Sequence, residues 1–250
     1  MLTFADRLNA HRRLSRFLLF APLLLALAPP VALAQPTATS YAYGESISVK
    51  LLPLLGSPIQ INSGPFPAVF GANPSARAQA ASVGVAAPAL GTMLQTGILT
   101  ATATSMHPTT GWLSADAVVD GARANVVGGL PLFWLGADTL HSSAQISGFC
   151  YFEPTASGWA NLTNAAVGGP LGLGLSVPLD PPPNTVLLQV AGIRVVLNEQ
   201  TFVTTNYFNS VAVNALHITL NALPVSALGV LSGDIILAHS EAVLACPLIE

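Results

Sequence analysis

The sequence predicts an all-β protein: a single β-sandwich-like domain of many short antiparallel strands after a cleaved signal peptide. Three observations carry this. Period-two alternation of apolar and polar residues recurs in segment after segment, the connections between segments draw on 21 glycines and 20 prolines, and helical periodicity is almost absent. Such alternation buries one face of a strand, and short strands at close, turn-punctuated spacing are how a sandwich or barrel reads in sequence.

The leader comes first. Met1 to Arg16 is basic through Arg7, Arg12, Arg13 and Arg16, and is followed by the apolar run Phe17 to Ala28, by Pro29-Pro30 and by the small-residue site Ala32-Leu33-Ala34. This order is that of a secretory signal peptide cleaved after Ala34. The apolar run is well short of the ~20 residues that a spanning helix needs. Leu14-Ser15-Arg16-Phe17 fits the twin-arginine pattern poorly, which favours the general secretory route. Gln35 rather than a cysteine begins the mature chain, so lipid anchoring has no acceptor. The expected organisation is therefore residues 1–34 as signal peptide and 35–250 as one β domain.

Removing 34 residues from 250 leaves 216, ample for a sizeable core. The mature chain keeps four basic residues, Lys50, Arg77, Arg123 and Arg194, against ten acidic ones, a formal charge of −6. Nucleic acid and anionic membrane surfaces are poor partners for it, because both require clustered Lys and Arg. With 52% hydrophobic and 8% charged residues, the chain has apolar surface to bury and is expected to fold compactly.

The elements follow in order. Thr39 to Leu52 alternates, with Tyr41, Tyr43, Ile47, Val49 and Leu51 on odd positions, which predicts a half-buried strand with these residues on one face. Pro53, Gly56-Ser57-Pro58 and Asn62-Ser63-Gly64-Pro65 then suggest a long connection with short extended pieces as far as Pro74. Ala76 to Val85 reads equally as a helical turn, a strand or an irregular segment. Leu94 to Met106, with its Thr-Ala alternation, and Ser114 to Val127 are strands. Asp116 and Asp120 share a face of the second, since their separation is even. A solvated strand face beside Arg123 is favoured there over a glycosidase pair or a calcium site.

Asp138 to Glu153 is a strand that brings in Cys150, with Phe149, Tyr151 and Phe152 expected to pack around it as core. Trp159 to Val167 is a further strand, and Gly168 to Gly174 is a turn without the lysine of a phosphate loop. Pro178 to Pro183 is too poor in donors for a central strand. Thr185 to Val190, Ile193 to Gln200, Val211 to Leu220 and Asp234 to Leu244 complete the set.

Cys150 and Cys246 are the mature chain's two cysteines, and an even count after export favours a disulfide over two buried thiols or a metal pair. A polar group offers a candidate ligand site. His239 and Glu241 share a strand face, and His217 faces them if strands 211–220 and 234–244 form a hairpin, with Glu199 nearby in sequence. Imidazole with carboxylate can ligate a metal or move protons, but mutual hydrogen bonding that fixes strand register is favoured. No nucleophile elbow, zinc-protease pair or calcium loop occurs in the sequence. No catalytic residue, metal or cofactor is expected.

Four stretches of the C-terminal third carry a resemblance: Pro182-Pro183-Asn184-Thr185, Leu197-Asn198-Glu199-Gln200, Asn214-Ala215-Leu216-His217, and the segment from Ala238-His239 to Cys246. Their order and spacing resemble the choice-of-anchor P proteins, a group of bacterial exported proteins, and Tyr41 to Leu55 resembles that family's opening strand more loosely. The resemblance implies an exported β-rich protein with no assigned activity. Members differ in their C-terminal anchoring signal. Here four residues follow Cys246, without sorting motif or apolar tail, which resembles the unanchored kind.

The expected function is that of a secreted or cell-surface, non-catalytic β domain serving envelope structure, adhesion or ligand binding. Its expected partners are an extracellular protein or glycan, with no transmembrane helix in the mature chain. The alternatives are a carbohydrate-binding module, with Trp112, Trp134 and Trp159 expected to pack into the core instead, and a metal-dependent enzyme with a dispersed site. Few aromatics, many prolines and the terminal Glu250 disfavour an outer-membrane barrel.

Overall fold

The period-two segments pair with one another as antiparallel strands. The computed structural model describes residues 37–247 except 55, 72–74, 88–90, 107–110, 128–130, 173, 191 and 226–228, so the leader lies outside the described residues. In chain order the strands are β1 (Thr37–Leu52), β2 (Ile59–Phe70), β3 (Ala76–Ala80), β4 (Gly84–Ala87), β5 (Gly91–Gln95), β6 (Leu99–Ser105) and β7 (Trp112–Val127), then β8 (Pro131–Ser147), β9 (Thr155–Thr163), β10 (Ala166–Gly168), β11 (Thr185–Val190), β12 (Ile193–Thr204), β13 (Phe208–Pro224) and β14 (Val230–Ala245).

The smaller sheet has six strands in the order β11-β12-β13-β14-β1-β2. The larger has eight, built around β7 and β8, which pair with each other over most of their length. β5 and β6 add to β7, β9 and β10 to β8, β3 to β6 and β4 to β5. β7 and β8 lie across β1, β13 and β14, so the two sheets face each other as a sandwich. Among the described strands neither sheet closes on itself. The all-β sandwich expectation holds, with several strands much longer than expected, up to 17 residues in β8 and β13.

The core is aliphatic and fine-grained. Ala115, Ala117, Ala124 and Ala144 of the larger sheet and Ala42, Ala215 and Ala242 of the smaller are fully buried, interleaved with Leu, Ile and Val. Small side chains bring the sheets close together. A Cβ on Gly44 would meet Leu99 Cδ2 at 2.7 Å, and one on Gly158 would meet Val213 Cγ2 at 2.5 Å, both across the interface between sheets. Hydroxyls also cross it. The Ser142 and Ser240 side chains lie 2.7 Å apart, and Ser240 Oγ donates to the Ser142 carbonyl at 3.0 Å, with both residues fully buried. Ser40 Oγ donates to the Thr104 carbonyl at 2.9 Å, which pins β1 to β6.

Three expectations are corrected, and one open reading is resolved. Residues 59–70 are not a broken connection but a strand of the sheet: β2 pairs with β1 despite Pro65 and Pro67, because it is an edge strand and can do without some amide donors. Of the three readings open for residues 76–85, the strand is the one found, at residues 76–80 and 84–87. β8 ends at Ser147, and Cys150 sits in the turn beyond it. The aromatics expected in the core lie outside it: Trp112, Trp159, Phe149, Tyr151 and Phe152 are all exposed. Alanine and glycine bring the sheets too close for rings along much of the interface, and Phe133 is the large aromatic that is fully buried among the described residues.

The disulfide is formed. Cys150, after β8 of the larger sheet, bonds to Cys246, just past β14 of the smaller, across 96 positions of sequence. Closing a loop of that length stabilises by roughly 4 to 5 kcal/mol in the chain-entropy model. Among the described residues, no helix is long and apolar enough to cross a membrane.

Candidate functional site

The polar group expected from sequence forms on the outer face of the smaller sheet, and a kink puts it there. In β14 the inward residues are Ile235 and Leu237 up to the kink, then Ala238, Ser240, Ala242 and Leu244 beyond it. β13 switches likewise, from Val211 and Val213 to Leu216, Ile218 and Leu220. β12 switches at Asn198 and β1 at Gly44–Glu45. The four switch points are neighbours across the sheet. Ala238 (φ 52°) and Asn198 (φ 47°) adopt the left-handed conformation that turns the strand over. This corrects the expected single face of β1: Ile47, Val49 and Leu51 point inward, whereas Tyr41 and Tyr43, across the kink, point outward.

Asn198 holds its conformation through buried hydrogen bonds. Its Nδ2 donates to the Pro181 carbonyl at 2.7 Å and its Oδ1 accepts from Gln200 Nε2 at 2.7 Å. Asn184 closes the arrangement, donating its N–H to the Asn198 carbonyl and accepting from Gln200 N–H through Oδ1. The proline-rich segment is thereby tied beside β12.

Beyond the kink Glu199, Asn214, His239 and Tyr43 are directly opposed on β12, β13, β14 and β1. Asn214 Nδ2 donates to Glu199 Oε2 at 2.9 Å, so Asn214 Oδ1 accepts from His239 Nδ1–H at 2.6 Å. The Tyr43 ring stacks on His239 with centroids 4.4 Å apart. Before the kink, His217 reaches back to the same carboxylate: Nδ1 lies 2.6 Å from Glu199 Oε2 and Nε2 lies 2.9 Å from Asp234 Oδ1. Arg194 flanks Glu199 at 3.8 Å.

Electrostatics follows from this geometry. Burial works against a charge on His217, but two carboxylates accepting from its two ring nitrogens outweigh that and raise its pKa, favouring the imidazolium. The same contact with His217 holds Glu199 below the usual carboxylate range, and the nearby His239 imidazole lowers Glu241. Burial raises the Tyr43 phenol and, with Glu241 beside it, Tyr41.

The structure thus brings Glu199 and His217 into contact, links His239 to them through Asn214, and leaves Glu241 at the margin, 3.9 Å from His239 Nε2. The expected hairpin of β13 and β14 is present. Asp234, Asn214 and Tyr43 were not recognised as partners from sequence. Asp234 and His239 are five apart, and Asn214 and His217 three apart, so strict alternation puts each pair on opposite faces until the kink reverses one member. The Thr219 hydroxyl lies 3.4 Å from His217 Nε2, which Asp234 already occupies at 2.9 Å. Among the described residues no set of three or more His, Cys, Asp or Glu is arranged to hold a metal ion. The group's chemistry is that of a cross-strand brace.

Asp116 and Asp120 share the outer face of β7, as expected. They have separate partners: His141 at 3.6 Å from Asp116, and Thr139, which donates to Asp120 at 3.3 Å. Arg123 lies instead over the Trp134 ring, 4.7 Å from its centroid.

A second site lies at the disulfide end. A cleft of about 520 Å³ opens between the β8–β9 connection and the β12–β13 turn, lined by Tyr151, Glu153, Pro154, Thr204, Thr205, Asn206, Tyr207 and Asn209. The molecule is therefore a disulfide-linked antiparallel sandwich with a self-contained polar row on one face and an open cleft at one end. No family model matches the chain, and no curated protein matches it.

Proposed function

We propose that this chain is an exported, non-catalytic β-sandwich of the choice-of-anchor P kind, acting outside the cell or at its surface by binding rather than by turnover. One observation carries the reading. The histidines and carboxylates that are the candidates for an active site bond to one another, with His217 held between Glu199 and Asp234 and with Asn214 joining Glu199 to His239. A group so engaged spends both ring nitrogens of His217 and Nδ1 of His239 on carboxylate and amide partners, which supports a structural use of them over proton transfer.

Two further facts support it. The disulfide suits an oxidising compartment, consistent with the leader. The stretches resembling the choice-of-anchor P proteins meet in one place: Asn184, Asn198 and Gln200 hold the kink, while Glu199, Asn214, His217 and His239 form the row beside it.

The test is expression in a bacterial host, followed by fractionation and assay. The chain is expected outside the cytoplasm with Gln35 at its N-terminus, and to show no turnover of model esters, phosphoesters or glycosides with or without divalent metal. Turnover that disappears in His239→Ala, or retention in the cytoplasm with the leader uncleaved, overturns the reading.

A further inference from the structure

We infer that the cleft at the disulfide end is a binding site for a neutral saccharide. This rests on the binding reading above and names where the ligand sits and what chemistry it has.

The cleft is built rather than incidental. Asn209 continues the inward row of β13 at the mouth of the sandwich. It is 2% exposed, lines the cleft, and its Oδ1 has no hydrogen-bond partner among the described residues. A buried, unpaired amide oxygen costs about 1 to 3 kcal/mol, an expense that a ligand hydroxyl removes.

The walls are fixed before any ligand arrives. The Cys150–Cys246 bond ties the β8–β9 connection to the end of β14, and Cys246 N–H donates to the Tyr207 carbonyl at 2.8 Å, fastening the opposite wall to the same strand end. Thr205 Oγ1 accepts from Phe208 N–H at 2.9 Å and closes the β12–β13 turn. The Tyr151 hydroxyl donates to the Pro247 carbonyl, which holds its ring at the rim. Preorganised walls reduce the ordering cost of binding.

The lining selects the chemistry. Tyr151 and Tyr207, both more than two-fifths exposed, present rings to the C–H faces of a sugar, and Thr204, Thr205, Asn206 and Asn209 supply hydroxyls and amides for its hydroxyls. Among the described residues no Lys or Arg lines the cleft and Glu153 does, so phosphate, sulfate and uronate groups are disfavoured. A volume of about 520 Å³ lies within the ordinary range for small-molecule sites.

The experiment uses the full chain exported into an oxidising compartment. Affinity electrophoresis through gels containing neutral polysaccharides (glucan, xylan, mannan and chitosan-free glycol chitin) finds a retarding polymer, and its oligosaccharide is then titrated into 15N-labelled protein. At least one polymer is expected to retard the protein. The Asn209 side-chain amide resonances should shift, and Tyr207→Ala should weaken binding at least about tenfold with thermal stability kept. Phe70→Ala and Trp159→Ala, which remove exposed rings from the two sheet faces, should leave binding intact. If one of these abolishes binding while Tyr207→Ala does not, the ligand lies on a sheet face; the cleft is then refuted although the binding reading survives. Failure of every neutral polymer to retard the protein refutes the saccharide, leaving the broader reading to its own test.

Discussion

At the scale of single residues, two half-buried ionisable groups contribute to the pH dependence of stability in opposite ways. His217 has a raised pKa between Glu199 and Asp234, and Glu199 a lowered one. The histidine's contribution is complete below its unfolded value of 6.5 and is lost as pH rises through the folded value; the glutamate's is complete above 4.5 and is lost as pH falls. The pair therefore stabilises most between pH 4.5 and 6.5. His217→Gln is expected to lose about 1 to 3 kcal/mol at pH 5.5 and to flatten the alkaline limb of the profile, as read by urea melts from pH 4 to 9. Glu45 differs, being fully buried on the kinked part of β1. Its Oε1 accepts from Ser63 Oγ at 2.8 Å, and its Oε2 has no partner among the described residues. Burial raises its pKa, so the stability tied to it is full below pH 4.5 and falls as pH rises through the folded value. Glu45→Gln keeps the size without the charge. It should match or exceed the parent at pH 7 and lose that part of the decline above pH 4.5 in the same melts.

At the scale of elements, what matters is how strands of opposite sheets are held in register. β8 and β14 meet through Ser142 and Ser240, whose hydroxyls satisfy each other where water does not reach. Removing one partner strands the other, so Ser240→Ala should cost about 1 to 3 kcal/mol. The double variant Ser142→Ala with Ser240→Ala should cost less than the two singles added, because no hydroxyl is left unpaired. A double-mutant cycle by chemical denaturation measures the difference. The kink works along the sheet rather than across the sandwich. It lets β12, β13, β14 and β1 each bury residues of odd number on one side and even number on the other, and so places Glu199, Asn214, His217 and His239 together on the outside.

At the scale of the whole molecule, the disulfide joins the two sheets at one end and walls the cleft there. Cys150→Ser with Cys246→Ser is expected to cost about 2 to 5 kcal/mol in unfolding free energy, measured by denaturant titration of the exported protein. It should also weaken saccharide binding beyond any global unfolding, since it frees the β8–β9 connection that carries Tyr151 and Glu153. The sandwich itself should persist, because the aliphatic interface between the sheets extends well away from the bond.

The sequence by itself determined the all-β class, the positions of most strands and the two cysteines that pair, because alternation, turn residues and cysteine count are local or compositional signals. Glu199, His217 and His239 were legible as a polar group because they lie on strands with clear apolar partners. Tertiary structure alone decided the rest. Proline content hid β2, since its tolerance there depends on being at an edge, which is a property of strand order. Size alone puts aromatics in the core, but alanine and glycine on facing strands set a close spacing that leaves Trp112, Trp159, Phe149, Tyr151 and Phe152 outside while Phe133 is buried. Asp234, Asn214 and Tyr43 joined the polar row because a left-handed residue in mid-strand reverses which face each neighbour takes. Asn209 and the cleft were invisible for a related reason: their walls come from loops far apart in sequence, and only the packing of two sheets brings them together.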